Sequence, residues 1–274
     1  MLAIAAIAAA AIAVLAALLL PPLRRKRARA RTLTASLLAG QRACIERNVR
    51  AAQDVPAALR PRFEGLVTTF LNEKRFVGCN GLDVTDEIRC TIAAQACLLL
   101  LGRPGRVYDE LRSILVYPGA FWVEDEVEDE AGVVTPRRRE LSGESWESHR
   151  IVLSWEDIEQ SRAVPPDGYN VVLHEFAHYL EAEGLGLAPR TDGAPRTISA
   201  WLSDLRAEYT RFVAAVDRHA ETFLDPYAAE DEAEFFAVAT EDFVERPALF
   251  SRACPMLYGL MTEFYGVDPA TWPS

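Results

Sequence analysis

VVLHEFAHYLEAE, Val171 to Glu183, sets two imidazoles and a carboxylate inside an apolar run. His174 and His178 are four residues apart, so in a helix both project from one face, at the spacing two ligands need to reach a single ion. Neutral imidazole suits zinc. Glu175 follows the first histidine and rotates toward the substrate side, where a carboxylate can take a proton from water polarised by a metal and pass it to a leaving amine. Val171, Val172, Leu173, Phe176, Ala177 and Leu180 supply the apolar body that would hold such a site rigid. The competing reading is a buried helix with two core histidines.

A catalytic zinc takes three protein ligands and keeps one position open. The two remaining histidines offer little: His149 sits in polar ESWESHR and His219 in VDRHAETF, and neither has a partner pattern. The better third donor is Glu234 in EDEAEFFAVATEDF, next to Phe235, Phe236, Ala237 and Val238. A carboxylate on the apolar side of a helix is costly unless paired or metal-bound. Glu241 lies two turns further along the same face, placed to hydrogen-bond a ligating histidine. Its alternative is an ordinary charge on the helix surface.

The rest of the chain frames this segment. The 274 residues are 50% hydrophobic and 25% charged, enough for one large domain or two small ones. Five scattered cysteines without C-x-x-C spacing argue against a disulfide framework or a cysteine zinc site, and are read as reduced and mostly buried. Arg62 to Lys74 (RFEGLVTTFLNEK) has helical periodicity, and DVTDEIRCTIAAQACLLLLG opens on acidic and hydroxyl residues and closes on Gly102, as a buried helix should. SILVYP, AFWVED and RIVLSWEDI read as short strands, and helical patterns dominate from Ile198 onward. EDEVEDE, Glu124 to Glu130, lacks calcium-loop spacing and reads as a solvated loop. In RIVLSWEDI, the residues Ile151, Val152, Leu153, Ser154 and Trp155 are the candidate substrate-binding strand, an edge on which an extended peptide can pair.

Met1 to Leu20 is an uncharged Ala/Leu/Ile/Val run, just long enough to cross a hydrocarbon core of roughly 30 Å, and six basic residues follow it between Arg24 and Arg31. A secretory signal would carry its positive charges before the apolar stretch. The positive-inside rule therefore predicts an inner-membrane, single-pass protein with its bulk in the cytoplasm, an export signal being the alternative. The formal net charge is −11, and setting aside the six cations of that cluster takes the remainder to −17. Such a domain is not built to hold nucleic acid by phosphate neutralisation, and the basic cluster is a topology signal and a contact for anionic headgroups.

HEFAH, then ISAWLSDL, then DPYAAEDEAEFFAVATEDF, in that order, resemble the Mlc titration factor A family, zinc peptidases whose catalytic core is related to that of anthrax lethal factor. The likeness extends upstream through GLDVTDEIRCTIAAQACLLLLG, ILVYPGAFWVEDE, LSGESW and IVLSWEDI, roughly Arg62 to Tyr265. It implies zinc ligands at His174, His178 and Glu234, a general base at Glu175, and an active-site tyrosine at Tyr227 whose phenol donates to an oxyanion. Without it, Tyr227 reads as a packed aromatic. The apolar N-terminal span and the loop Gly184 to Thr197 depart from the better-known members.

The expected architecture is α+β: a mainly helical, zincin-like metallopeptidase domain (62–274) with a small mixed β-sheet, a basic and helical linker (24–61) and a transmembrane anchor (1–23). The expected activity is zinc-dependent hydrolysis of a peptide or protein substrate. Two alternatives stand beside it: a binding module that sequesters a protein regulator such as a transcriptional repressor, and a metal-stabilised scaffold without turnover.

Overall fold

The computed structural model describes residues 29–103, 107–119, 121–128, 134–141, 149–163, 166–182 and 197–273. The apolar run Met1 to Leu20 and the loop from Gly184 to Arg196 lie outside them. No helix among the described residues is long and apolar enough to cross a membrane.

The amino-terminal half is a layer of helices. Helices α1 (Ala39–Asn48) and α2 (Arg50–Gln53) lead into α3 (Arg60–Glu73), strand β1 (Arg75–Gly78) and α4 (Asp86–Leu98). Thr85 caps α4 by accepting the Ile88 amide, and Asp86 and Glu87 favour the positive end of its dipole. Almost all of α4 is buried, as its composition predicts. The stretch read as linker contributes Cys44, Ile45, Val49 and Ala52 to the same core, where α1 packs on α4. All five cysteines are free thiols.

The sheet differs from the expected mixed one. Strands β2 (Ser113–Tyr117) and β5 (Arg150–Ser154) join β1 in a wholly parallel sheet of order β1-β2-β5, with Phe76, Ile114 and Ile151 in register. The antiparallel pairing is confined to a separate ribbon, β3 (Phe121–Glu128) with β4 (Val134–Leu141). Most of the acidic run expected as a loop therefore belongs to strand β3. Parallel neighbours need a crossover, so β1 cannot be recognised as a strand until α4 carries the chain back beside it. RIVLSWEDI also divides. Ser154 Oγ accepts the Asp157 amide, and Glu156 and Asp157 occupy the first turn, so α5 (Trp155–Ala163) begins where the strand ends.

Helix α6 (Val171–Ala182) is the quoted segment. Phe176 anchors it in an aromatic cluster, 4.8 Å from the Tyr108 ring and 5.7 Å from that of Phe70. Helix α7 (Ile198–Asp217), a 3-10 turn at Pro226–Ala229, α8 (Glu232–Glu245), α9 (Pro247–Ala253), α10 (Pro255–Tyr265) and a closing 3-10 turn at Pro269–Thr271 complete the chain. Trp201 of α7 is buried, with its indole N–H donating to the Leu260 carbonyl. Gly266 ends α10 in the left-handed region at φ 66°, and a Cβ on Gly102 would collide with its carbonyl. This close approach ties α4's carboxyl end to α10. Helices α6 and α8 face each other, and the site lies between them.

Candidate metal centre

The apolar residues of α6 point into the core, which leaves His174 and His178 on the stripe facing α8. Asp231 caps α8 by accepting the amides of Ala233 and Glu234, both at 2.8 Å, so the Glu234 side chain leaves the first turn at a fixed position. Its carboxylate meets both imidazoles: Oε2 is 3.0 Å from His174 Nε2 and Oε1 is 3.4 Å from His178 Nε2. The two Nε2 atoms are 3.1 Å apart. Among the described residues, His174, His178 and Glu234 form the one group of three or more donors able to hold a metal ion.

The donor set fits a tetrahedral divalent ion. Bonds of about 2.0–2.2 Å put such ligands roughly 3.3–3.6 Å apart, so the three need to relax outward by only a few tenths of an ångström. Glu234 Oε2 is buried without a hydrogen bond of acceptable geometry, despite its short distance to His174. A buried carboxylate oxygen without a hydrogen-bond partner is costly, and an ion held among the three donors would satisfy it.

The ligands are themselves held. His174 Nδ1 donates to Glu241 Oε1 at 2.9 Å, which leaves Nε2, facing Glu234, as the atom that would ligate an ion once its proton is lost. Glu241 Oε2 accepts the backbone N–H of Asn170. Asn170 in turn accepts the Leu173 amide at 3.1 Å on its own Oδ1, capping α6, and donates from Nδ2 to Glu245 at 2.7 Å. One asparagine thus starts the helix that carries the histidines and fixes the carboxylate that orients the first of them. An Asn immediately before an apolar helical run is a legible cap, and it was the available signal for Asn170.

Charge follows from this packing. Burial opposes a positive His174, but Glu234 and Glu241 outweigh it and raise its pKa well above the ordinary value. Burial likewise works against an ionised Glu234, yet contacts with His174 and His178 hold it far below the carboxylate range. A metal must displace the His174 proton, so binding releases it. Glu175 is different: burial pushes its carboxyl up to about 7 although His174 and His178 pull it down.

Glu175 and His174 open onto a cleft of about 820 Å³ that also contains Tyr227. Tyr227 stands in the 3-10 turn, whose start is fixed by Asp225 Oδ1 accepting the Tyr227 amide at 2.8 Å and whose end is fixed by the Tyr209 hydroxyl donating to the Ala229 carbonyl. Half exposed, its ring lies 6.3 Å from that of His174. Burial, then the charge of Glu234, pushes the phenol up to about 12, so it remains a donor at neutral pH.

The other candidates separate cleanly. His149 and His219 sit exposed in turns at positive φ, with His149 4.0 Å from Glu110, and neither joins the cluster. Ile151, Leu153 and Ser154 are buried, Val152 is half-buried, and Trp155 belongs to α5 rather than the strand. Helix α5 follows this strand in the chain, β5 nevertheless touches α6, and it pairs only with β2 among the described strands. Sequence reading missed the far wall of the cleft, Asp167, Gly168, Asp242 and Arg246, because its parts are short-range polar signals that have meaning only once α8 lies beside the loop before α6.

The sequence profile of the glucose-regulated metallo-peptidase M90 family matches residues 23–266. The chain belongs to this family. Proteins named Mlc titration factor A from Klebsiella pneumoniae (strain 342) and Escherichia coli O1:K1 are 37% and 35% identical over 210 residues, covering 74% of this chain and 77% of each relative. An uncharacterised Synechocystis protein is 35% identical over 212 residues, 77% of either chain. The matched region of the M90 chain takes in His174, Glu175, His178, Tyr227, Glu234 and Glu241.

Proposed function

We propose that the chain is a zinc peptidase in which His174, His178 and Glu234 hold the ion and Glu175 is the general base. The observation that carries this reading is the convergence of two imidazole nitrogens and one carboxylate within 3.0–3.4 Å of each other, beside a buried glutamate that opens onto the same cleft. A zinc ion there would supply Lewis acidity, lowering the pKa of a water and polarising the scissile carbonyl. Glu175 takes the proton of the attacking water and delivers it to the leaving amine. Tyr227 donates its hydroxyl to the oxygen that gains charge, an interaction stronger in the transition state than in the ground state. Glu241 keeps His174 in the tautomer that presents Nε2. The outer edge of β5, Ile151 to Ser154, aligns an extended peptide through main-chain hydrogen bonds, with Trp155 starting the helix at its end.

Glu175→Gln tests the assignment. It keeps size and hydrogen bonding but removes the base, so zinc should stay bound while peptide hydrolysis falls about 10²-fold or more. Undiminished hydrolysis would remove Glu175 from the mechanism.

A second reading is favoured by the name Mlc titration factor A borne by the curated relatives: capture of a protein regulator, with turnover secondary. The N-terminal sequence supports a membrane-anchored protein with its catalytic domain in the cytoplasm and no nucleic-acid partner.

A further inference from the structure

Part of the cleft lining has a chemistry that the proposed reaction does not use. Asp242 lies on its floor with a side chain only 1% exposed. One oxygen, Oδ1, accepts from Arg246 Nε at 2.6 Å, while Oδ2 is buried and has no hydrogen-bond partner. Arg246 cannot easily swing away to serve it, because its guanidinium lies 4.7 Å from the centre of the Phe223 ring and is packed against Gly168. That glycine has φ 97°, and a Cβ there would collide with both Arg246 and Asp242.

Two further carboxylates, Asp167 and Asp225, stand exposed at the rim. Each gives one oxygen to a local backbone amide, those of Tyr169 and Tyr227. Burial pushes Asp242 up and Arg246 pulls it back, and Asp167 and Asp225 add repulsion, which places all three carboxylates within one field. Four aspartates, these three and Asp157, therefore line the cleft with one guanidinium, that of Arg246. Leu224, Pro226 and Val238 add apolar surface to the lining of the same cleft. A lining that mixes apolar side chains with carboxylates matches a long aliphatic stem carrying a cation.

We propose that this pocket receives the side chain of a lysine or arginine lying next to the scissile bond, so that the enzyme selects basic peptides. The inference rests on the peptidase reading for its position beside the scissile bond. The stem lies along the apolar part of the lining, and the cation sits beside the rim carboxylates, within the field of the buried Asp242. Solvent screening at the exposed rim limits the preference to the order of tenfold. It should fade with added salt.

The test uses the zinc-loaded full chain and a blocked peptide series with Lys, Arg, Gln, Met or Glu at one position on either side of the cleaved bond. Lys and Arg peptides should show kcat/KM about tenfold above Gln and Met, with Glu lowest. Asp167→Asn should shrink the Lys-to-Gln ratio several-fold, and Asp167→Glu should restore it. Binding of the same peptides, fluorescently labelled, to the Glu175→Gln variant provides a readout that needs no turnover. Preferential binding of basic peptides without cleavage by the unaltered chain would uphold the pocket and defeat the peptidase reading. Cleavage and binding both indifferent to charge would overturn the pocket.

Discussion

Glu241→Gln should weaken metal binding without disturbing the metal ligands. Both oxygens of Glu241 accept: Oε1 from His174 Nδ1 at 2.9 Å and Oε2 from the Asn170 backbone amide. A glutamine of the same shape has one acceptor and one donor, so with an ion on Nε2 and the proton on Nδ1, an N–H faces an N–H whichever way its amide turns. The residue is 2% exposed, and water cannot repair the lost bond. A buried donor left unpaired costs about 1–3 kcal/mol. If the amide oxygen stays with Asn170, His174 loses the contact that fixes its tautomer, and outer contacts of this kind are worth about 10–100-fold in metal affinity, or roughly 1.4–2.8 kcal/mol. Competition against a chromophoric zinc chelator reads that change directly. Thermal unfolding supplies the discriminating control: the zinc-loaded variant should lose roughly 3–11 °C more than the zinc-free variant does. Equal losses in both forms, with unchanged zinc affinity, would mean that Glu241 merely braces the start of α6.

Tyr227→Phe should lower turnover about 10²-fold while leaving zinc content intact, as expected for one lost oxyanion donor; normal turnover with reduced stability would return Tyr227 to a packing role. Gly168→Ala should destabilise the fold by about 1–3 kcal/mol, measured by chemical denaturation, since it combines positive φ with a Cβ driven into Asp242 and Arg246. Carboxyl-terminal reporter fusions should give cytoplasmic-reporter signal in the membrane fraction, and deleting residues 1–31 should release a domain with its zinc site intact; alkaline phosphatase activity instead would mean export.

What the sequence determined by itself was local. The i, i+4 spacing of His174 and His178 needs only a helix to become a two-ligand face, and the apolar residues around them say which way that helix turns. Glu234 could be singled out because a carboxylate beside two phenylalanines is an anomaly that burial makes expensive, and Glu241 because it lies two turns further along the same face. Asn170 and Ser154, both helix caps, were legible by the same local logic, though the strand reading of WEDI concealed the second. Tyr227 carried no such signal and was marked only by family likeness.

The tertiary structure decided everything that depends on which segments meet. Glu241 is 67 residues from His174 in the chain, and only the packing of α8 on α6 converts two separate helical patterns into a hydrogen bond. The same packing brings the loop before α6 against α8, so that Gly168, Asp242 and Arg246 become one wall of the cleft. The all-parallel order β1-β2-β5 was equally out of reach, since a parallel pairing is made by a crossover and leaves no turn in the sequence to mark it. Periodicity records the face a segment buries, while the identity of the opposing segment comes from the summed fit of the whole core.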